Sequence, residues 1–240
     1  MKKEELKTLV APANKKTDSP YLYPFSTPSD QSKPYNIFLI GSNPATPICS
    51  NDRPSDEYVD LLLSEEQYDR VFKQFRLNKG RTGVSRTRLG TNSMINLLEA
   101  ATGENILRTN VINYPTAKAN ELKAIPSIEI DRSKQLFMKV LLEHQPSVLI
   151  ACGSTPFQHL VEILFNEGLL DSFPSMDVNI HELEKSNDPL IRFTYQNEKE
   201  GAIFACRHLM YFGEKGDSYK EFMQTVTQYI HSKDEVVGQG

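Results

Sequence analysis

The chain has 240 residues, 39 % of them hydrophobic, and a formal net charge of -4. That length and apolar content suffice for a buried core. The mild acidity excludes a globally basic nucleic-acid binder, and no apolar run reaches the roughly 18 residues of a membrane span. The polar start Met1-Lys2-Lys3-Glu4-Glu5 does not read as a signal peptide. Three cysteines, Cys49, Cys152 and Cys206, lack metal-ligand spacing. They point to buried thiols in a reducing cytosol rather than to a disulfide framework.

In chain order, residues 1–34 are polar and rich in Lys, Pro, Ser and Thr, with Tyr21, Tyr23 and Phe25 near their end. They read as an extended N-terminal arm. Ile37-Phe38-Leu39-Ile40 is too short for a helix and reads as a buried strand, closed sharply by Gly41-Ser42-Asn43-Pro44. After a Pro-rich loop, Ser64 caps a helix with Gln67 as its capping-box partner, and Tyr68, Val71, Phe72 and Phe75 form its apolar face. That helix ends near Asn78-Lys79-Gly80. A second helix runs from about Thr87 to Thr102, with Ile95, Leu97 and Leu98 inward and Gly103 as its stop.

Ile106 to Ile112 reads as a strand ending at Tyr114-Pro115, followed by a long loop to Pro126 and a helix opened by Ser133. Val148 to Cys152 is a third strand closed by Gly153-Ser154, with Ser154 or Thr155 capping the next helix. Ile191 to Tyr195 reads as an edge strand, Ala202 to Cys206 as a fourth core strand, and Ser218 to Ile230 as a closing amphipathic helix. Residues 233–240 read as a frayed tail. Alternating strands and helices predict one three-layer α/β domain over residues 35–232, with a central, mainly parallel, four-stranded sheet.

Polar residues follow or end the four core strands: Asn43, Asn110, Ser154 and His208. Open α/β sheets bind ligands at such carboxyl ends. Asn110 is the most unusual, because an amide inside an apolar strand carries donors and an acceptor that need partners.

Taken in order, these segments resemble the uracil-DNA glycosylase superfamily over roughly Asn36 to Tyr229. Gly41-Ser42-Asn43-Pro44 resembles its first motif, Thr109-Asn110-Val111 its base-reading strand, and Val148 to Ser154 its third strand and small-residue turn. Cys206-Arg207-His208-Leu209-Met210 stands where the family's second motif places a histidine. Arg81-Thr82-Gly83 is similar to the segment before a helix in bacterial members. The resemblance implies strand order 2-1-3-4 and hydrolysis of the bond between a flipped base and its sugar, with no metal or organic cofactor.

It also implies site roles. Asn110 would accept from N3–H and donate to O4 of uracil, His208 would donate to the developing base anion, and Asn43 would orient the attacking water. Gly41, Ser42 and Ser154 would line the base site. Met210 and Tyr211, with Phe212, are the wedge candidates for base flipping. Lys79, Arg81, Arg86 and Arg88, interleaved with small residues, are the candidate phosphate contacts.

Two departures leave the base open. Leu209-Met210 follows the histidine where family members carry proline and a small residue, and Val84-Ser85 stands where they carry a stacking ring, for which Tyr58 or Phe75 are substitutes. Uracil or a modified pyrimidine in single- or double-stranded DNA is the expected substrate, and a monomer the expected state. A non-catalytic nucleic-acid or nucleotide-binding module is the alternative. A hydrolase using Ser154 or Cys152 lacks an evident His and acid to activate either residue.

Overall fold

The computed structural model describes Glu4 and residues 35–44, 54–114, 116, 119–174, 179–213 and 215–237. The N-terminal arm expected at 1–34 (save Glu4) and Cys49 lie outside the described residues, as does the end of the tail at 238–240.

Four strand-forming runs appear where their β-branched and aromatic residues predict them: β1 (Ile37–Gly41), β2 (Ile106–Asn110), β3 (Val148–Cys152) and a longer last strand, Glu200–Cys206. The edge segment is also a strand, β4 (Ile191–Thr194), which makes the last one β5. The sheet thus has five strands rather than four, in the order β2-β1-β3-β5-β4. β1 pairs parallel with β3 from Ile37↔Val148 to Ile40↔Ala151, and β3 pairs parallel with β5 from Val148↔Ala202 to Cys152↔Cys206. β4 runs antiparallel to β5, as an edge strand returning through a polar turn can.

The helices are α1 (Ser55–Leu62), α2 (Glu65–Asn78), α3 (Arg86–Thr102), α4 (Ser127–His144), α5 (Ser154–Asn166), the short α6 (Ile180–Leu183) and α7 (Lys220–Val237). Ser64 accepts from the Gln67 amide at the start of α2, and Gly103 ends α3 in the left-handed region at φ 71°.

Six expectations need correction. α1 lies in what reads as a loop, because Pro54 precedes its first turn, where proline is compatible with a helix. α4 begins at Ser127 rather than Ser133, which is buried within it. β2 stops at Asn110, two residues short of Ile112. Gly153, not a hydroxyl side chain, occupies the cap of α5. α7 continues to Val237, so 233–237 are helical rather than frayed. Leu97, expected inward, is exposed.

The described chain divides into two compact units. The first comprises 41–83 and 107–144, with Tyr58, Val59, Tyr68, Phe137 and Leu141 among its buried side chains. The second comprises 35–40, 84–106 and 145–237, and its apolar cluster joins Ile37, Ile150 and Phe204 of the strands to Met94, Phe222 and Val226 of α3 and α7. Cys152 and Cys206 are register partners in that cluster, both buried as free thiols.

Candidate functional site

In the first unit the end of β1 and the end of β2 are bound together. The Val111 amide donates to Gly41 O and the Ile112 amide to Ser42 O, both at 3.0 Å. Across this junction the Asn110 side chain lies directly over the Gly41 α-carbon. A β-carbon on residue 41 would stand 2.6 Å from Asn110 Oδ1. Gly41 is therefore needed for close approach, and its φ is not among the positive values. Asn110 itself is buried, with 8 % of its surface exposed.

Asn43 is fixed by its donor end. Its Nδ2 donates to Thr116 Oγ1 at 2.8 Å, with longer contacts to Tyr114 O and Pro44 O at 3.4 Å. None of these bonds uses Oδ1, so the anchoring leaves the amide its acceptor oxygen. Around the junction Ser42 Oγ, Thr109 Oγ1 and both amide atoms of Asn113 are buried without a hydrogen-bond partner among the described residues. Buried polar atoms are usually paired, so this strand end holds more polar capacity than the described residues consume. Asn113 and Thr116 escape sequence reading because each looks like an ordinary loop residue.

Lys79 and Arg81 belong to the loop after α2, and both are exposed. Arg76 shapes that loop by donating from Nε to Thr82 O at 2.8 Å while its guanidinium lies 5.8 Å from the Phe72 ring centroid. Of the substitutes for a stacking ring, Tyr58 is fully buried and Phe75 half-buried.

In the second unit the parallel register of β3 and β5 brings Ser154 and His208 out at the same edge of the strand pair. Ser154 is exposed, and the turn before it depends on Gly153, whose φ of 124° is open to glycine alone. His208 caps a 3-10 turn over Leu209–Tyr211, and its Nδ1 accepts the Met210 amide at 3.2 Å. The neutral ring therefore carries its proton on Nε2. His208 is exposed at the surface, yet burial of part of its surroundings pulls its pKa below the ordinary histidine value.

The wedge candidates follow directly. Met210 and Tyr211 are exposed by 41 % and 63 %, whereas Phe212 is buried. Their turn is braced by α3, where a β-carbon on Gly90 would stand 2.1 Å from Leu209 O. Arg86 is exposed, but Arg88 is 8 % exposed, which removes it from a solvent-facing phosphate patch. The α3 periodicity turns residue 88 to the side that carries Thr91 and Met94, also buried.

No protein-family model matches the chain, and no curated protein matches it. Among the described residues no cluster of three or more His, Cys, Asp or Glu side chains could hold a metal ion, and no helix is long and apolar enough to cross a membrane.

Proposed function

We propose that the chain is a DNA glycosylase-like hydrolase, of uracil-DNA glycosylase-like fold, that cleaves the N-glycosidic bond of a flipped uracil or modified pyrimidine. The observation that carries this reading is the pairing of Gly41 with Asn110, a strand-borne amide given room by a missing β-carbon. An amide held in this way can accept from N3–H and donate to O4 of uracil, a pattern cytosine does not offer.

In the reaction the bond between C1′ and the base nitrogen breaks and its electron pair leaves with the base; water adds to the cation-like sugar, and the proton it loses passes through solvent to the base anion. Neutral His208 donates Nε2–H to the oxygen of the departing base and stabilises its charge without first having to be protonated. Asn43 orients the water through Oδ1. A water attacking such a cation needs alignment more than deprotonation. Lys79, Arg81 and Arg86 contact phosphate, and Met210 and Tyr211 fill the space of the extruded base. The protein works as a cytoplasmic monomer on DNA and needs neither metal nor organic cofactor.

The test is a panel of labelled oligonucleotides, single- and double-stranded, carrying uracil, hydroxymethyl or glycosylated pyrimidines, mismatches and deaminated purines, each treated with alkali after incubation. Alkali-sensitive cleavage at one pyrimidine, lost in Asn43→Ala and His208→Ala, is expected. Binding to such an oligonucleotide with every glycosidic bond intact would instead identify a base-binding module without turnover. Neither binding nor cleavage on any member would refute both.

A further inference from the structure

His208 is held by more than the turn it caps. Glu184, which follows α6, is a buried carboxylate with 9 % of its surface exposed. It receives the Arg207 backbone amide on Oε2 at 2.7 Å and the Arg207 guanidinium on both oxygens, with Nη2 at 2.7 Å from Oε1 and Nε at 2.9 and 3.0 Å. One side chain thus fixes both the main chain and the side chain of the residue before His208. Such charge-assisted contacts are shorter and stronger than neutral ones.

The guanidinium continues the chain of contacts. Its Nη2 donates to Ser218 O at 2.9 Å, and its carbon lies 4.7 Å from the Tyr219 ring centroid. Tyr219 is buried and donates its hydroxyl to His208 O at 3.1 Å. The peptide carrying His208 is therefore gripped on its amino side through the Arg207 amide and on its carboxyl side through the His208 carbonyl. With Nδ1 already occupied by the Met210 amide, Nε2 is the ring atom whose direction this frame sets.

We infer that Glu184, Arg207 and Tyr219 form a positioning clamp that aims His208 Nε2 at the departing base. The inference rests on the glycosylase reading for what His208 does, but the clamp itself is a property of the second unit. None of its members touches the base. They act through His208, by removing backbone freedom that would otherwise have to be lost on the way to the transition state.

Tyr219→Phe is the sharpest variant, since it keeps the ring under Arg207 and removes only the bond to His208 O. The expected result is a fall in kcat of about 3- to 10-fold, the effect of one hydrogen bond, with KM within about twofold. Glu184→Gln, which keeps the shape and loses the charge, should cost about 10- to 100-fold in kcat. In a His208→Gln background Tyr219→Phe should have no further effect, because the residue it serves is gone. An equal loss in both backgrounds, or wild-type kcat in Tyr219→Phe, overturns the clamp while leaving the glycosylase reading intact.

If the wild-type chain cleaves no oligonucleotide, that reading fails by itself, and the clamp is judged by nitrogen-15 NMR of His208. The Nε2–H tautomer should dominate in the wild type and mix with Nδ1–H in Tyr219→Phe. An unchanged tautomer ratio overturns the clamp. Tyr219→Phe decides alone if Glu184→Gln does not fold.

Discussion

Gly41→Ala separates stability from chemistry. The new β-carbon would stand 2.6 Å from Asn110 Oδ1, against 3.4 Å for the near edge of ordinary contact, a shortfall of 3.4 − 2.6 = 0.8 Å. The next atoms, Asn110 Cγ at 3.7 Å and Thr109 O at 3.9 Å, are already clear. The clash is thus relieved by turning the amide, not by moving a strand. The cost belongs at the low end of overpacking, about 1 kcal/mol, partly offset by about 0.4–1 kcal/mol from the stiffer unfolded chain. A midpoint shift of no more than about 4 °C follows for a chain of this size.

Function should respond far more strongly, because an amide displaced by about 1 Å can cost about 100-fold in turnover. In an Asn110→Ala background the clash is absent, and Gly41→Ala should stabilise by about 0.4–1 kcal/mol. The two pairs give a coupling of about 1 kcal/mol, measurable by denaturant titration of the four proteins. Zero coupling or wild-type turnover in Gly41→Ala would show that Asn110 does not depend on the bare α-carbon, and a single-mutant midpoint drop above about 10 °C would show that the clash moves a strand rather than the amide.

Thr116→Val removes the 2.8 Å acceptor of Asn43 Nδ2 and should lower turnover about tenfold with unchanged DNA affinity, read by separate cleavage and equilibrium-binding assays. Turnover should also follow the ionisation of His208. Its pKa in the folded chain is lowered by burial, and the neutral form is the proposed donor, so activity is complete above that pKa and falls as the pH drops through it, below about 6.5. A pH–rate profile whose acid limb lies above pH 7, or that survives in His208→Gln, would contradict this. Gly90→Ala meets a carbonyl oxygen at 2.1 Å and Phe212 Cβ at 2.9 Å, neither at the end of a flexible side chain. Despite the better helix propensity of alanine it should destabilise by about 2–3 kcal/mol, lowering the thermal midpoint by about 4–12 °C.

Much of the fold is legible because its signals are local. The apolar runs at Ile37, Val148 and Ala202 are bounded by Gly, Ser or charged residues, and Ser64 with Gln67 and Gly103 mark helix ends by side-chain chemistry alone. Ser133 misleads because a capping residue type inside a helix looks the same as one at its start. Asn43, Asn110 and His208 attract notice as polar residues at strand ends, but their anchoring does not. The Thr116 contact, the Gly41 approach and the grip of Glu184 on Arg207 join residues distant in sequence with no shared period, and only the folded chain brings them together. Arg88 shows the reverse error, a charge read as solvent-facing that the helix turns inward.

Cys152 and Cys206 offer a use unrelated to chemistry on DNA. Side by side on β3 and β5, they are 6 % and 0 % exposed. A thiol-alkylating reagent can reach them only when these strands come apart, so in a Cys49→Ser chain the labelling rate becomes a clock for opening of the sheet. Because the two sulfurs report on adjoining strands, mass spectrometry that resolves single from double labelling tells whether β3 and β5 open together or one after the other.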